Sequence, residues 1–354
     1  MSDTERAKRI IDFFKKEASE ISVFLVINMK TQGFSSNDIY DLQTEYFSDE
    51  ELGDFINVLE ELGIYHEISY GEKEFAQKVI FGKIPSLRFK YKIVYNTTGG
   101  GKSRSKSSIV PAICELYGLS YASSDIFSSS LLENKVQSFA LLKFYQLQTP
   151  HFWIYDNVNG WLNGQPSDEL KLISKPAYGC ASLGISSRNV SFFTENYELM
   201  ISKLARKLNQ PIIVQEFISG WEVEMPVFDL GYPVTFVPVG VKINETEHLG
   251  EDILTYELVS EDRYSFYDFE AYNLQLANKI REIARHSFNM LSLKGSVRVD
   301  FRITSDGQCY ITDYNNSPHL TRFHSYACSA SYAGFSYSEM FCLCLYKAIQ
   351  NIEY

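Results

Sequence analysis

The 354-residue chain is short of cysteine and of proline, with 6 and 10 respectively, and it carries no excess of positive charge. Each shortage excludes something. Six thiols are too few for a disulfide scaffold and include no CxxC pair of the kind that seeds a zinc site, which predicts a reducing compartment. The 6 histidines form no HExxH or comparable pair, so any metal has to be held by carboxylates. No window approaches 18 uncharged apolar residues. The charged start MSDTERAKRIIDFFKKEASE has no continuous apolar core, so we expect a soluble, cytoplasmic protein with no membrane partner. Acidic residues (44) outnumber basic ones (33), and a formal charge of −11 lacks the footprint of a nucleic-acid binder. A hydrophobic share of 45% and an aromatic share of 15% are far from the signature of disorder. At roughly 100–200 residues per domain, the length predicts two or three domains with a core that needs no staples.

Local signals set the order of elements. Ser2 with Glu5 and Ser48 with Glu51 have capping-box spacing, predicting helices over 3–18 and from 49 to a stop at Gly63. Strand patterns at 22–28 and 90–96 and a helical pattern at 109–117 make the first third an α/β alternation. Beyond it we expect a helix over 131–147, strands at 171–175 and 182–186 around a loop of small residues, and a helix over 195–209. Strands at 211–217, 221–229 and 233–243 follow, the last two joined at Gly231-Tyr232. A long helix over 269–293 precedes a hairpin of 295–303 and 308–314 that turns at Ser305-Asp306-Gly307, and a helix over 336–351 closes the chain.

Gly99-Gly100-Gly101-Lys102-Ser103 imitates the end of a Walker A loop. A phosphate loop needs glycine five positions before its Gly-Lys pair, and Asn96 stands there, so a glycine-rich strand-to-helix turn is the better reading. The C-terminal hairpin is more informative. Period-2 alternation puts Asp313 and Asn315 on one face, beside a strand carrying Asp300, and two carboxylates with an amide oxygen suit magnesium when phosphate oxygens complete the shell. The pattern alone fits a solvated hairpin face equally well. Lys175-Pro176 and the small residues 177–185 offer a cation and a flexible loop for phosphate. Strand 212–217 with Gly220 and Glu222 offers backbone to a base edge and a carboxylate to a ribose, though a plain buried strand would look similar.

Taken in order, Lys135, Lys175-Pro176, Gln215-Glu216-Phe217-Ile218 with Gly220 and Glu222, Arg298-Val299-Asp300 and the run DYNNSPHLT (313–321) resemble the ATP-grasp superfamily, and within it the D-alanine–D-alanine ligases. The likeness runs from about Asn96 to the C-terminus and includes the glycine-rich turn and helix of 99–125. It implies an α/β (α+β) ATP-grasp fold: a Rossmann-like N-terminal α/β domain (1–128), a central subdomain with the phosphate loop (129–217) and a C-terminal subdomain with the metal site (218–354). The implied activity is ATP-dependent carboxylate–amine ligation. One carboxylate attacks the γ-phosphate to give an acyl phosphate, and an amine then displaces phosphate to form an amide.

The same resemblance assigns roles. Lys135 and Lys175 contact ATP phosphates; Gln215, Glu216, Phe217 and Ile218 hold adenine; Glu222 binds ribose. Asp300, Asp313 and Asn315 ligate two Mg²⁺ ions, with Mn²⁺ as the alternative. The loop 178–182, with Ser182, closes over the γ-phosphate, and Arg298, with the backbone N–H near His319, steadies the transferring group. The implied partners are small amino-acid or carboxylic-acid substrates, and a homodimer is the family's usual assembly. The chain departs from the family in several places. Met29-Lys30-Thr31-Gln32-Gly33 stands where two glycines, serine and glutamate anchor the first substrate's ammonium. Asp313 replaces a glutamate, His319 a glycine, His324-Ser325 lies near a substrate-binding serine, and 254–259 lacks the tyrosine-lysine closing pattern, although Tyr256 is nearby. These departures point to retained ATP chemistry with altered amino-acid pockets. A non-catalytic nucleotide-binding regulator on the same fold is the rival reading, disfavoured by the two-metal oxygen cluster.

Overall fold

A computed structural model describes residues 2–31, 41, 43, 46–84, 89–99, 103–179, 184–261 and 263–350. Three sheets account for its layers. The first third holds helix α1 (Asp3–Glu17), β1 (Ile21–Ile27), α2 (Asp49–Glu61), β2 (Tyr65–Tyr70), α3 (Gly71–Ile80), β3 (Tyr91–Asn96) and α4 (Ile109–Leu116). Both expected capping boxes form: Ser2 and Ser48 Oγ accept from the amides of Glu5 and Glu51, whose carboxylates accept in return from the Ser2 and Ser48 amides. The strands run parallel in the order β2-β1-β3. Every residue of β1 is buried because helices cover both faces, as a parallel sheet requires.

Helices α5 (Ile126–Glu133) and α6 (Lys135–Phe144) lead to a second sheet of β4 (Phe152–Asp156), β5 (Gly160–Trp161), β6 (Lys171–Pro176), β7 (Val190–Phe192) and, after α7 (Glu195–Leu208), β8 (Ile212–Glu216). Its order is β5-β4-β8-β6-β7, antiparallel throughout, with α7 packed on one face through Tyr197, Ile201 and Leu204. The third sheet contains β9 (Trp221–Asp229), β10 (Pro233–Thr235), β11 (Val239–Lys242) and, past α8 (Tyr256–Ser260), β12 (Ser265–Asp268). Helices α9 (Phe269–Tyr272) and α10 (Leu274–Met290), strands β13 (Val297–Ile303) and β14 (Cys309–Asn315), and helices α11 (Ser325–Tyr332) and α12 (Tyr337–Gln350) complete the chain. Its order is β12-β11-β9-β13-β14, with β10 paired to the end of β9. One face is apolar and packs on α10, while the other looks into a cleft facing the second sheet.

The last helix does not stay with its own sheet. Its Phe341 ring lies 5.4 Å from Phe55 of α2 and 5.5 Å from Tyr95 of β3, so one core joins α1, the first sheet, α2, the end of β9 and α12.

Several expected elements are divided or missing. The helix predicted over 131–147 breaks at Asn134, whose extended backbone (φ −101°, ψ 91°) ends α5 while its side chain caps α6. Asn273 divides the expected 269–293 helix in the same way. Strand 233–243 is interrupted because Pro238 brings no N–H to the ladder. Of the strand expected over 182–186, residues 182 and 183 lie outside the described residues and 184–186 are not strand. There Ser186 is tied to Asn189, its N–H donating to the Asn189 side-chain oxygen at 2.9 Å. Residues 100–102 of the glycine-rich turn also lie outside the described residues, as does residue 351 of the closing helix.

Candidate active site

Alternation along β13 sends Val297, Val299, Phe301 and Ile303 into the α10 core and Arg298, Asp300 and Arg302 to the opposite face. The register completes a polar ladder: Asp300 pairs with Asp313 of β14 and with Glu224 of β9, Arg298 with Asn315, and Arg302 with Glu222. Arg298 grips both oxygens of Asp300, Nε to Oδ1 at 2.7 Å and Nη2 to Oδ2 at 2.8 Å, while Nη1 lies 3.1 Å from Glu224. Burial alone would favour the neutral guanidine, but Asp300 and Glu224 override it and hold the Arg298 cation firmly charged. Burial pushes the Glu224 carboxyl up, against the pull of Arg298, and Asp300 adds to the rise.

Arg302 pairs with Glu222 at 2.8 Å and donates to the carbonyls of Asp252 at 2.6 Å and of Gly220 and Gly250 at 3.3 Å. It pins the turn that opens β9 to the loop at 250. Gly220 also lets the turn pass tightly over the end of β13: at φ 149°, a Cβ there would sit 1.8 Å from the Ile303 carbonyl oxygen.

Across the cleft stand two lysines. The break at Asn134 frees the backbone to bridge Tyr178 and lets the Lys135 amide donate to Ala177 at 2.9 Å, which starts α6 beside the end of β6. Lys135 Nζ then donates to the Gly179 carbonyl at 2.7 Å and lies 3.3 Å from Asp313. Lys175, on β6, donates from Nζ to the Thr312 carbonyl at 3.1 Å. Burial lowers its pKa, Asp313 opposes that, and Lys135 adds to it. Lys175 is thus enclosed among groups that tie the second sheet to the third. Beside it Gln215 is buried, and its side-chain N–H₂ lines the cavity without a hydrogen-bond partner. The backbone N–H groups of Glu216 and Phe217 are spent on the His151 and Lys171 carbonyls, both at 2.8 Å. The Phe217 ring lies between cations, 5.5 Å from Lys171 Nζ and 5.7 Å from the Arg302 guanidinium.

The third wall comes from the N-terminal unit. The His319 ring stacks on Phe47 at 4.7 Å, and its Nδ1 lies 3.6 Å from Glu51, close enough for a charge contact and too far for a hydrogen bond. Burial alone would raise the Glu51 pKa, but His319, the Ser48 amide and Lys30 outweigh it and hold the carboxyl at about 2. His324 stands 5.1 Å from His319 ring to ring, with Nδ1 2.6 Å from the Thr321 hydroxyl, and burial drives its pKa down to about 3.

One cavity of about 860 Å³ is lined by Arg298, Lys175, His319, Lys135, Gln215, Glu216, Phe217, Ile218, Glu222, Asp300, Asp313 and Asn315. Ser182 lies outside the described residues. Glu224, Arg302 and Glu51 are among the lining residues that the sequence did not single out. Glu224 and Arg302 follow Glu222 and Asp300 by the same two-residue period, so alternation could have found both. Glu51 appears in the sequence only as a cap, because nothing local says that the start of α2 faces a cleft.

The donor set can be tested against a divalent cation. Asp300 and Asp313 stand directly opposite one another with Asn315 on the next facing position, all hard oxygen donors. Among the described residues no group of three or more His, Cys, Asp or Glu is placed to hold a metal by itself. Two carboxylates and an amide fit a magnesium ion that draws the rest of its shell from phosphate and water. No helix among the described residues is long and apolar enough to cross a membrane.

Comparison with known proteins gives a consistent picture. The family model "D-ala D-ala ligase C-terminus" matches residues 154–343. The D-alanine–D-alanine ligase of Flavobacterium johnsoniae is 24% identical over 287 residues, covering 81% of this chain and 85% of the relative. That of Natranaerobius thermophilus is 25% identical over 296 residues, covering 76% and 72%. The crystal structure of the D-alanine–D-alanine ligase from Bacillus anthracis complexed with ATP superposes with a TM-score of 0.69 at 16% identity, over 94% of this chain and 99% of that one. At that identity the superposition establishes the ATP-grasp fold.

Proposed function

The chain belongs to the D-Ala–D-Ala ligase C-terminus family of ATP-grasp carbon–nitrogen ligases, and from that premise we propose that it activates a carboxylate with ATP and joins it to an amine at the cavity described above. The observation that carries the reading is the meeting of Lys135 and Lys175 from one wall with Asp313 and Thr312 from the other. Such a junction of two cations with a carboxylate and a backbone carbonyl is what a nucleotide triphosphate and its counter-ion would replace.

The two lysines take phosphate oxygens. The unpartnered amide of Gln215 fits an acceptor nitrogen on a base, and with the N–H groups of Glu216 and Phe217 spent, the backbone share of adenine recognition falls to Ile218 and to carbonyl oxygens. Glu222, steadied by Arg302, takes the ribose. When bound, Mg²⁺ held by Asp300, Asp313 and Asn315 would neutralise charge on the phosphates. The substrate carboxylate attacks the γ-phosphorus and ADP leaves. The amine then adds to the acyl carbon, loses a proton and expels phosphate. Arg298 is fixed by Asp300 and Glu224 before substrate arrives, so its guanidinium stabilises developing charge without reorganising. Ser182 and the backbone N–H near His319 complete the phosphate contacts, and the His319 side chain, stacked on Phe47, narrows the pocket against Glu51.

We also propose units at 1–128, 129–217 and 218–354, in which the second and third each own a sheet, and a homodimeric assembly. Purified protein with ATP, Mg²⁺ and a panel of D- and L-amino acids tests the activity through phosphate release and product mass. Release that needs two substrates and yields a condensed product is expected. Asp300→Asn or Asp313→Asn should abolish it while metal-free nucleotide binding survives, and unchanged rates in both would remove these residues from the metal site.

A further inference from the structure

The wall of the cavity beyond Arg298 is of a different character from the rest. It is built from 253–261, 263–266 and the start of α11, and its described charged side chains pair with one another at the surface, Arg263 with Glu257 at 3.0 Å and with Glu261 at 2.7 Å, while the neighbouring Glu251 pairs with Lys171 at 2.6 Å. Tyr256 is buried, and its amide donates to the Ile185 carbonyl at 2.9 Å, which fixes α8 across the cleft. What remains in the lining is mostly apolar, with Ser260, Ser265 and the Tyr264 hydroxyl as its polar members. Leu254, Tyr264 and Phe266 pack only part of their surface on Val241, Ile243 and Leu249, and Val259 is likewise half-buried. Phe323 lines the same space while 80% exposed. Two lining groups that could have brought charge do not: burial holds the Cys328 thiol up at about 11 and the His324 imidazole down at about 3, so both are neutral near pH 7.

The location separates this wall from the nucleotide. The stretch proposed for the base lies on the second sheet at 215–218, whereas Phe266 sits on β12, which is joined through β11 to Glu224 on β9; Tyr264 acts on the charge of Arg298, and Cys328 feels that of Glu224. The wall therefore flanks the place where the acyl group is transferred.

We propose that one of the two compounds joined here carries a bulky apolar side chain, branched or aromatic, which seats against Leu254, Val259, Tyr264, Phe266, Phe323 and Cys328. The inference rests on the ligase reading for the identity of the site, and on the lining alone for the class of side chain. A methyl group would leave this wall in contact with water, while a branched or aromatic chain displaces that water, and in such pockets a single methylene changes selectivity by roughly 10–200-fold.

The test measures binding and turnover separately. Binding of leucine, phenylalanine, alanine, lysine and glutamate, each as both enantiomers, is measured on the full chain with Mg²⁺ and a non-hydrolysable ATP analogue. Leucine or phenylalanine is expected to bind at least about 10-fold tighter than alanine of the same hand, and Phe323→Ala to shrink that ratio by about 10-fold. Cys328→Phe, which fills the pocket from within, is expected to shift the preference toward alanine. Alanine or a charged amino acid binding as tightly as the bulky apolar ones would overturn the inference. Product mass reads the ligase activity apart from it: amide formation that favours alanine defeats the inference and keeps the ligase, while apolar selectivity with no amide from any pair keeps the wall's preference for a bulky apolar side chain and defeats the ligase reading on which the rest of the inference stands.

Discussion

Arg298 is the residue on which the charge balance of the cavity turns. Its fork engages Asp300 through two parallel hydrogen bonds and still reaches Glu224, a geometry that lysine cannot reproduce even though it keeps the charge. Arg298→Lys is therefore expected to lower the rate of phosphate release on the order of 100- to 1,000-fold, the usual loss for one preorganised donor, while affinity for an ATP analogue changes little. A near-normal rate would show that the fork does not act on the reacting group. Gly220 is the second position with no substitute. Gly220→Ala drives a Cβ into the Ile303 carbonyl at a backbone angle that L-residues rarely adopt. It should cost on the order of 3 kcal/mol, read as a lower urea midpoint. It should also weaken nucleotide binding, because the paired backbone hydrogen bonds between Gly220 and Gly250, both 3.1 Å, would part.

Among the elements, the two helix starts that meet at the cleft make the protein sensitive to acid. Glu51 in the first turn of α2 is held at about 2 against an ordinary 4.5, and His324 at the N-cap of α11 at about 3 against 6.5. Both folded values are depressed, so the unfolded chain binds more protons. Stability is full above pH 6.5 and falls on acidification, through His324 between about 6.5 and 3 and through Glu51 between about 4.5 and 2. Urea midpoints measured from pH 7 to 3 should decline less steeply in His324→Gln above pH 4.5 and in Glu51→Gln below it; identical slopes in wild type and variants would contradict the assignment. Elements were legible where one pattern acted alone. The span of β9 is that expected for the strand over 221–229, and both capping boxes start helices as spaced. Reading failed where a polar side chain or an absent N–H overrode periodicity, as at Asn134, Asn273 and Pro238. The residues lining the cleft were legible as an ordered set because most sit on strands or at a helix start, Arg298 with Asp300 on β13 and Asp313 with Asn315 on β14, while His319 lies in the loop beyond. The wall formed by Glu51 and Phe47 was not, since only the packing of a distant unit brings it to the cleft.

The molecule as a whole is closed by its last helix. With Phe341 set against Phe55 and Tyr95, α12 completes the core of the first sheet, and Lys347 reaches the Ser123 carbonyl at 2.7 Å while lying 3.9 Å over the Tyr121 ring. A chain ending at residue 336 exposes one face of β1 and β3 and should lose near-ultraviolet circular dichroism and cooperative melting; a truncated chain that melts as sharply as the whole would show the first unit to be self-sufficient. The same arrangement governs biosynthesis. The first strands leave the ribosome long before the segment that covers them, so the nascent protein must wait, half-dressed, until α12 emerges. Arrested translation intermediates lacking α12 should be cut readily by protease, and those in which α12 has emerged should not.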